Sequence, residues 1–243
     1  EAFGDADVAI VAVPSRSIRD NVRAVRDDLN ESAVVVSATK GLELESGKRM
    51  SQVLSEELPS SLRPGVCALS GPNLANEIAR QKPSSTVVAS PNLDAARTAQ
   101  SHINTPLFRV YTNDDIVGVE FGGALKNIIA LGAGICDGLG YGDNAKAAFM
   151  TRGLAEISRL GVAAGANPLT FAGLAGIGDL VATCSSRLSR NHTVGEHLAG
   201  GRSLEEIRAS MDNVAEGVDT TAAAVSLAES LEVEMPIAQA TYD

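Results

Sequence analysis

Up to residue 113 the chain alternates short apolar runs with amphipathic stretches, and that alternation restricts the fold more than any other feature. DADVAIVAVPS (Asp5 to Ser15) is an apolar run ended by proline, the pattern of a strand buried on both faces. RSIRDNVRAVRDDL follows, with Ile18, Val22, Val25 and Leu29 at helical spacing. SAVVVSATKG (Ser32 to Gly41) predicts a second strand and RMSQVLSEELP a second helix. GVCALSGP, STVVAS and FRVYT continue the strands, and NLANEIARQ and NLDAARTAQSHI the helices. Repeated strand–helix–strand units build parallel sheets covered by helices, so residues 1–113 are expected to form an α/β parallel-sheet domain.

Beyond Asn113 the pattern changes to long stretches rich in Ala, Leu and Gly, and residues 114–243 are expected to form an all-α domain. Helices are predicted over roughly Asp114 to Leu139, Asn144 to Ala164, Asn191 to Leu198, Ser203 to Met211 and Asp219 to Leu231, each with a cap or a glycine stop. An α/β domain followed by a helical one suggests a nucleotide-binding domain and a substrate-closing partner, with ligand at the carboxyl ends of the strands. The dinucleotide fingerprint G-x-G-x-x-G is missing, since GLAGIG at Gly173 to Gly178 has the wrong spacing and follows no strand. The opening β-α-β unit is therefore expected upstream of Glu1, and a polypeptide beginning there is expected to bind dinucleotide poorly. Pro236 similarly reads as the first turn of a helix that continues.

Composition removes several function classes. A formal charge of −10 and an aromatic content of 3% leave neither the basic face nor the stacking platform that a nucleic acid needs. Cys67, Cys136 and Cys184 are odd in number and widely spaced, which argues against a disulfide framework or zinc knuckle and for a reducing cytoplasm. The uncharged run from Asn127 to Cys136 is too short for a bilayer, which needs about 20 apolar residues. His102, His192 and His197 form no metal-ligand set.

Within GVEFGGALKNIIALGAG (Gly118 to Gly134) the lone cation is Lys126. It is either a packed stem whose head reaches water or a reactive group. Burial would lower its pKa and a neighbouring carboxylate would raise it, so packing decides the direction. Gly122 and Gly123, one turn earlier, leave room for a ligand or another backbone. Asp179, in GIGDL, reads as a helix cap or as a partner to that lysine. Ser189, Arg190 and Asn191, in SRNHTVGEHL, stand at a predicted helix N-terminus, where free N–H groups favour an anion and a guanidinium adds a fork for phosphate. Lys40 emerges at a strand's carboxyl end, and Asn73 is placed to cap the helix after Gly71.

VPS, SATKGLE, SGPNLANE, ALKNIIALGAG, GIGDLVATC and SRNHTVGEHL, in this order and spacing, resemble the NAD(P)-dependent glycerol-3-phosphate dehydrogenases over essentially the whole chain. The resemblance implies a Rossmann-like domain without its N-terminal part, then a helical substrate domain. It implies interconversion of dihydroxyacetone phosphate and sn-glycerol 3-phosphate with NAD or NADP, no metal, cytoplasmic residence, supply of glycerol 3-phosphate for phospholipid synthesis, and a homodimer. It assigns Lys126 as the catalytic lysine, Asp179 as its orienting acid, Thr183 as a supporting hydroxyl and Asn127 as a neighbour that donates to substrate or holds the pair. Lys40, Gly71, Asn73, Ser189, Arg190 and Asn191 become substrate contacts, and Lys40, Ala75, Arg190, Val214 and Glu216 cofactor contacts. The family often carries Ser or Thr where this chain has Asn73. Two rivals stand beside this reading: a two-domain dehydrogenase of the 6-phosphogluconate or hydroxyacid type, against which GIGDL and SRNHT argue, and a non-catalytic binding protein, against which Lys126 with Asp179 argues.

Overall fold

A computed structural model describes residues 4–211 and 215–243. Its first part is β1 (Val8–Val11), α1 (Ile18–Val25), β2 (Val34–Ser37), α2 (Met50–Glu57), β3 (Val66–Ser70), α3 (Ala75–Ala79), β4 (Ser84–Ala89), α4 (Leu93–Ile103) and β5 (Phe108–Asn113). The strands form one sheet in the order β1-β2-β3-β4-β5. Val35 of β2 packs with Ile18, Val22 and Leu54 of α1 and α2, whereas Val34 and Val36 pack with Ala96 and Ala99 of α4 on the opposite face. Helices on both faces are why β2 is an unbroken apolar run.

Two expectations need correcting. The sheet is parallel from β1 to β3 and again between β4 and β5, but β4 runs antiparallel to β3, with Leu69 opposite Val88. Five residues of α3 advance only about 7–8 Å, too little to carry the chain back along a strand of about 16 Å, so β4 returns in the opposite sense. Secondly, β1 is not buried on both faces. It pairs with β2 alone among the described residues, and Ile10 is 53% exposed.

The second part comprises α5 (Ile116–Gly138), α6 (Gly142–Ala163), α7 (Asp179–Ser185), α8 (Arg190–Ala199), α9 (Leu204–Ala209), α10 (Glu216–Ser230) and α11 (Pro236–Tyr242). All five helices given ranges are present, the helix expected to begin at Pro236 is α11, and α7 adds to them. Asp115 starts α5 by accepting the Gly118 N–H at 2.9 Å, and its other oxygen takes the Thr170 hydroxyl at 2.6 Å. By length and composition α5 could cross a membrane, which the uncharged run alone did not suggest. Yet 94% of its apolar window is buried inside the protein, making it the central core helix. Glu120 of α5 docks it on the first domain, accepting the Ser51 N–H at 2.7 Å and Arg49 Nη1 at 2.5 Å.

Glu156 of α6 holds α11 in place. It is 3% exposed and accepts the first-turn N–H groups of Ile237 at 2.8 Å and Ala238 at 3.2 Å. Glu156→Ala would strand those donors. It is expected to cost about 1–3 kcal/mol in denaturant unfolding and to speed hydrogen exchange selectively across residues 237–242. Uniform exchange throughout the helical domain would contradict this local role.

Candidate active site

The backbone from residue 174 to 178 is a π-helical turn that leads directly into α7. It crosses α5 at Gly122, where a β-carbon would lie 2.4 Å from the Ala175 carbonyl oxygen. A β-carbon on Gly123 would lie 2.2 Å from Ser70 Oγ, at the carboxyl end of β3. The room predicted at this glycine pair is thus filled by protein, which brings the first turn of α7 and the end of β3 to the turn of α5 that bears Lys126.

Lys126 is 5% exposed. Its Nζ donates to Asp179 Oδ1 and, at 2.5 Å, to Thr183 Oγ1. The Thr183 hydroxyl proton is committed to the Asp179 carbonyl at 2.7 Å, so Oγ1 is an acceptor toward the lysine. Of three ammonium protons, one remains unpartnered among the described residues. Asp179 therefore does not serve as a helix cap. At 1% exposure it accepts a second lysine, Lys40, whose Nζ lies 2.6 Å from Oδ2 and 2.9 Å from the Gly71 carbonyl.

Two ammonium groups on one carboxylate leave the cluster with a net positive charge, suited to an anionic oxygen. Burial, then repulsion from Lys40, pushes Lys126 down to about 8, against the opposing pull of Asp179. Burial also raises the thiols of Cys67 to about 11 and Cys184 to about 12, so neither is a nucleophile near neutral pH.

A second group assembles around the start of α8. Ser189 is its N-cap, accepting the His192 N–H at 3.3 Å. Asn191 is buried and its Oδ1 accepts the Gly217 N–H at 2.9 Å, so it bridges to α10 and does not cap. A β-carbon on Gly217 would lie 2.7 Å from Asn191 Oδ1 and 2.8 Å from the Asn127 carbonyl oxygen, so the start of α8 meets the Lys126 turn across one glycine. Arg190 is exposed and makes no hydrogen bond or ion pair among the described residues. Glu216 lies alongside, accepting the Ser15 N–H at 3.1 Å and hydroxyl at 2.5 Å, which closes the loop after β1 onto α10.

Other predicted residues are placed differently. No hydrogen bond joins the Asn127 amide to Lys126 or Asp179, though Asn127 is buried beside them. Asn73 does not cap α3, because Leu74 is the N-cap and the helix begins at Ala75, which is exposed. Instead the Asn73 amide donates to Thr86 Oγ1 at 2.8 Å, leaving Oδ1 unpartnered, as is Ser70 Oγ. Val214 lies outside the described residues.

The amino-terminal family model for NAD-dependent glycerol-3-phosphate dehydrogenase matches residues 1–96 and the carboxyl-terminal model residues 115–243. The chain belongs to this dehydrogenase family. It is 55% identical over 243 residues to the glycerol-3-phosphate dehydrogenase [NAD(P)+] of Dehalococcoides mccartyi, covering 100% of this chain and 68% of that one. The counterpart in Chlorobium limicola is 53% identical, with 73% of its length covered. The crystal structure of the Coxiella burnetii glycerol-3-phosphate dehydrogenase superposes with a TM-score of 0.90 at 34% identity, over 97% of this chain and 71% of that one. For a dehydrogenase of this family, the contacts that sequence reading missed are the Lys40–Asp179 pair and the Ser15–Glu216 pair. Their partners are 139 and 201 positions apart, so no local signal announces them. Among the described residues no group of three or more His, Cys, Asp or Glu side chains is arranged to hold a metal.

Proposed function

We propose that this chain interconverts dihydroxyacetone phosphate and sn-glycerol 3-phosphate with NAD(P)H, supplying glycerol 3-phosphate for phospholipid synthesis, with residues 1–113 serving the cofactor and 114–243 the substrate. The observation that carries the reading is Lys126, buried in the core helix of a family dehydrogenase, with two protons anchored and one unpartnered. Bound NAD(P)H supplies the hydride. The residues present fit its nicotinamide side: the loop after β1, Lys40 after β2 and Gly71 after β3 emerge along one edge of the sheet, where Ser70 Oγ and Asn73 Oδ1 are buried without partners.

Lys126 holds its unpartnered proton for the C2 oxygen and delivers it as that oxygen gains charge; in the reverse direction its neutral amine takes the proton back. Asp179 and Thr183 aim the amine, and Lys40 adds a second positive charge beside it. Ser189, Arg190 and Asn191 hold the phosphate: Arg190 has no competing partner among the described residues, and the helix N-terminus adds its dipole. The family resemblance gives Gly71 and Asn73 to the substrate and Ala75, Val214 and Glu216 to the cofactor, with Asn127 buried beside the lysine. Three free, buried thiols support cytoplasmic residence.

The assay is direct. The intact protein is expected to reduce dihydroxyacetone phosphate and to leave 6-phosphogluconate untouched; the converse result would sink the reading. The two directions should also depend oppositely on pH. Reduction needs the ammonium and should fall as pH rises through about 8, while glycerol 3-phosphate oxidation needs the amine and should rise through the same region. Parallel profiles of kcat/KM would remove Lys126 from the proton transfer.

A further inference from the structure

The residues that would hold the substrate phosphate occupy the first turn of α8, so whatever fixes that turn also fixes where the phosphate sits. α8 crosses α5 in direct backbone contact. A β-carbon on Gly134 would lie 2.0 Å from the His192 carbonyl oxygen, and one on Gly195 2.0 Å from the Leu131 carbonyl oxygen. Contact this close sets the separation of the helices, while Val194, packed with Leu131 and Ile207, and the Asn191 bond to Gly217 restrain α8 farther from the crossing.

A polar group beside the crossing adds a directed restraint between α8 and α5. His192, the third residue of α8, is 3% exposed and places Nε2 2.7 Å from Asp137 Oδ2 of α5. The same oxygen takes the Lys146 ammonium of α6 at 2.5 Å. Burial raises the Asp137 carboxyl, but the hydrogen bonds from Lys146 and His192 carry it below the ordinary carboxylate range, so it is an ionised acceptor. The other ring nitrogen of His192 faces Glu196 Oε2 at 3.7 Å and has no hydrogen-bond partner. The backbone N–H of His192 is the group that the Ser189 hydroxyl caps, so anchoring this residue also orients Ser189. An apolar side chain would fill the space as well without specifying one rotation; a directed hydrogen bond to a neighbouring helix specifies it.

We propose that His192 and Asp137 are positioning residues for the substrate phosphate: their bond sets the rotation of α8 that turns Ser189, Arg190 and Asn191 toward the Lys126 turn. This rests on the phosphate reading above. Neither residue touches the Lys126–Asp179 cluster, so proton transfer should continue when the bond is lost.

The test compares dihydroxyacetone phosphate with unphosphorylated dihydroxyacetone in the intact protein. For His192→Leu, kcat/KM on the phosphorylated substrate is expected to fall about tenfold, mainly through KM, with the unphosphorylated substrate changed less than about twofold, because sub-ångström misplacement of a binding group is felt only by what it binds. His192→Gln, which returns an N–H donor near the position of Nε2, should recover most of the loss. Should His192→Leu fail to fold, Asp137→Ala carries the same comparison. Equal losses on both substrates, or an unchanged KM for the phosphorylated one, overturn the inference. Arg190→Ala separates the two layers: if it raises that KM while the His192 and Asp137 variants do not, only the positioning role fails. If Arg190→Ala leaves KM unchanged, the phosphate reading fails and the positioning role with it.

Discussion

Lys126→Ala is expected to lower kcat for dihydroxyacetone phosphate reduction by about 10²–10⁴-fold, the usual contribution of a positioned proton donor, with little change in KM. The size of the effect follows from the exclusivity of the site. Lys126 is 5% exposed, and its side chain comes from the core helix, so bulk water cannot readily replace the proton it delivers. The substitution should leave the fold intact, because Asp179 keeps its contact with Lys40 and is not abandoned as an unpaired buried charge. Steady-state rates beside a thermal melt separate the two effects. A rate within a few fold of the parent, in a folded protein, would show that another group moves the proton.

Asp179→Asn is expected to damage the fold more than any other single change at the site. The carboxylate is 1% exposed and accepts one ammonium on each oxygen, so an amide keeps one acceptor, turns an NH2 donor toward the other ammonium and removes the negative charge between Lys40 and Lys126. Breaking a buried pair in this way costs about 3–5 kcal/mol, readable as a lower denaturant midpoint. A kinetic signature accompanies it. Asp179 holds the Lys126 pKa up against burial and Lys40, so its loss should push that pKa further below about 8 and shift the decline of the reductive reaction to lower pH. A stability change under about 1 kcal/mol with an unmoved pH profile would mean that the two lysines do not depend on this carboxylate.

What could be read from the residues differs from element to element for physical reasons. β2 was evident because a strand covered on both faces must be apolar throughout, and α5 because a helix buried all round must be. The reversal at β4 was not evident, since its residues look the same whichever way the strand runs; the shortness of α3 sets the direction. α7 was open only as a helix for Asp179 to cap and was given no range, because seven residues after a glycine-rich turn carry too little periodicity. The site divides similarly. Lys126, Asp179, Thr183 and Lys40 were all named from motifs, but that one carboxylate joins both lysines depends on Gly122 admitting the Ala175 backbone and Gly123 the Ser70 and Lys40 side chains against α5. The predicted capping role of Asn73 failed because Thr86, thirteen residues on, offers its amide an acceptor.

The sequence by itself determined the alternating and helical halves, the family, and the chemical types able to move a proton and hold a phosphate, because these depend on local spacing and side-chain chemistry. Only the tertiary structure decided which protons of Lys126 are spoken for, which way its pKa moves and how α8 is turned toward it. Those are properties of distance and burial between residues far apart in the chain, and distance between such residues is set by packing alone.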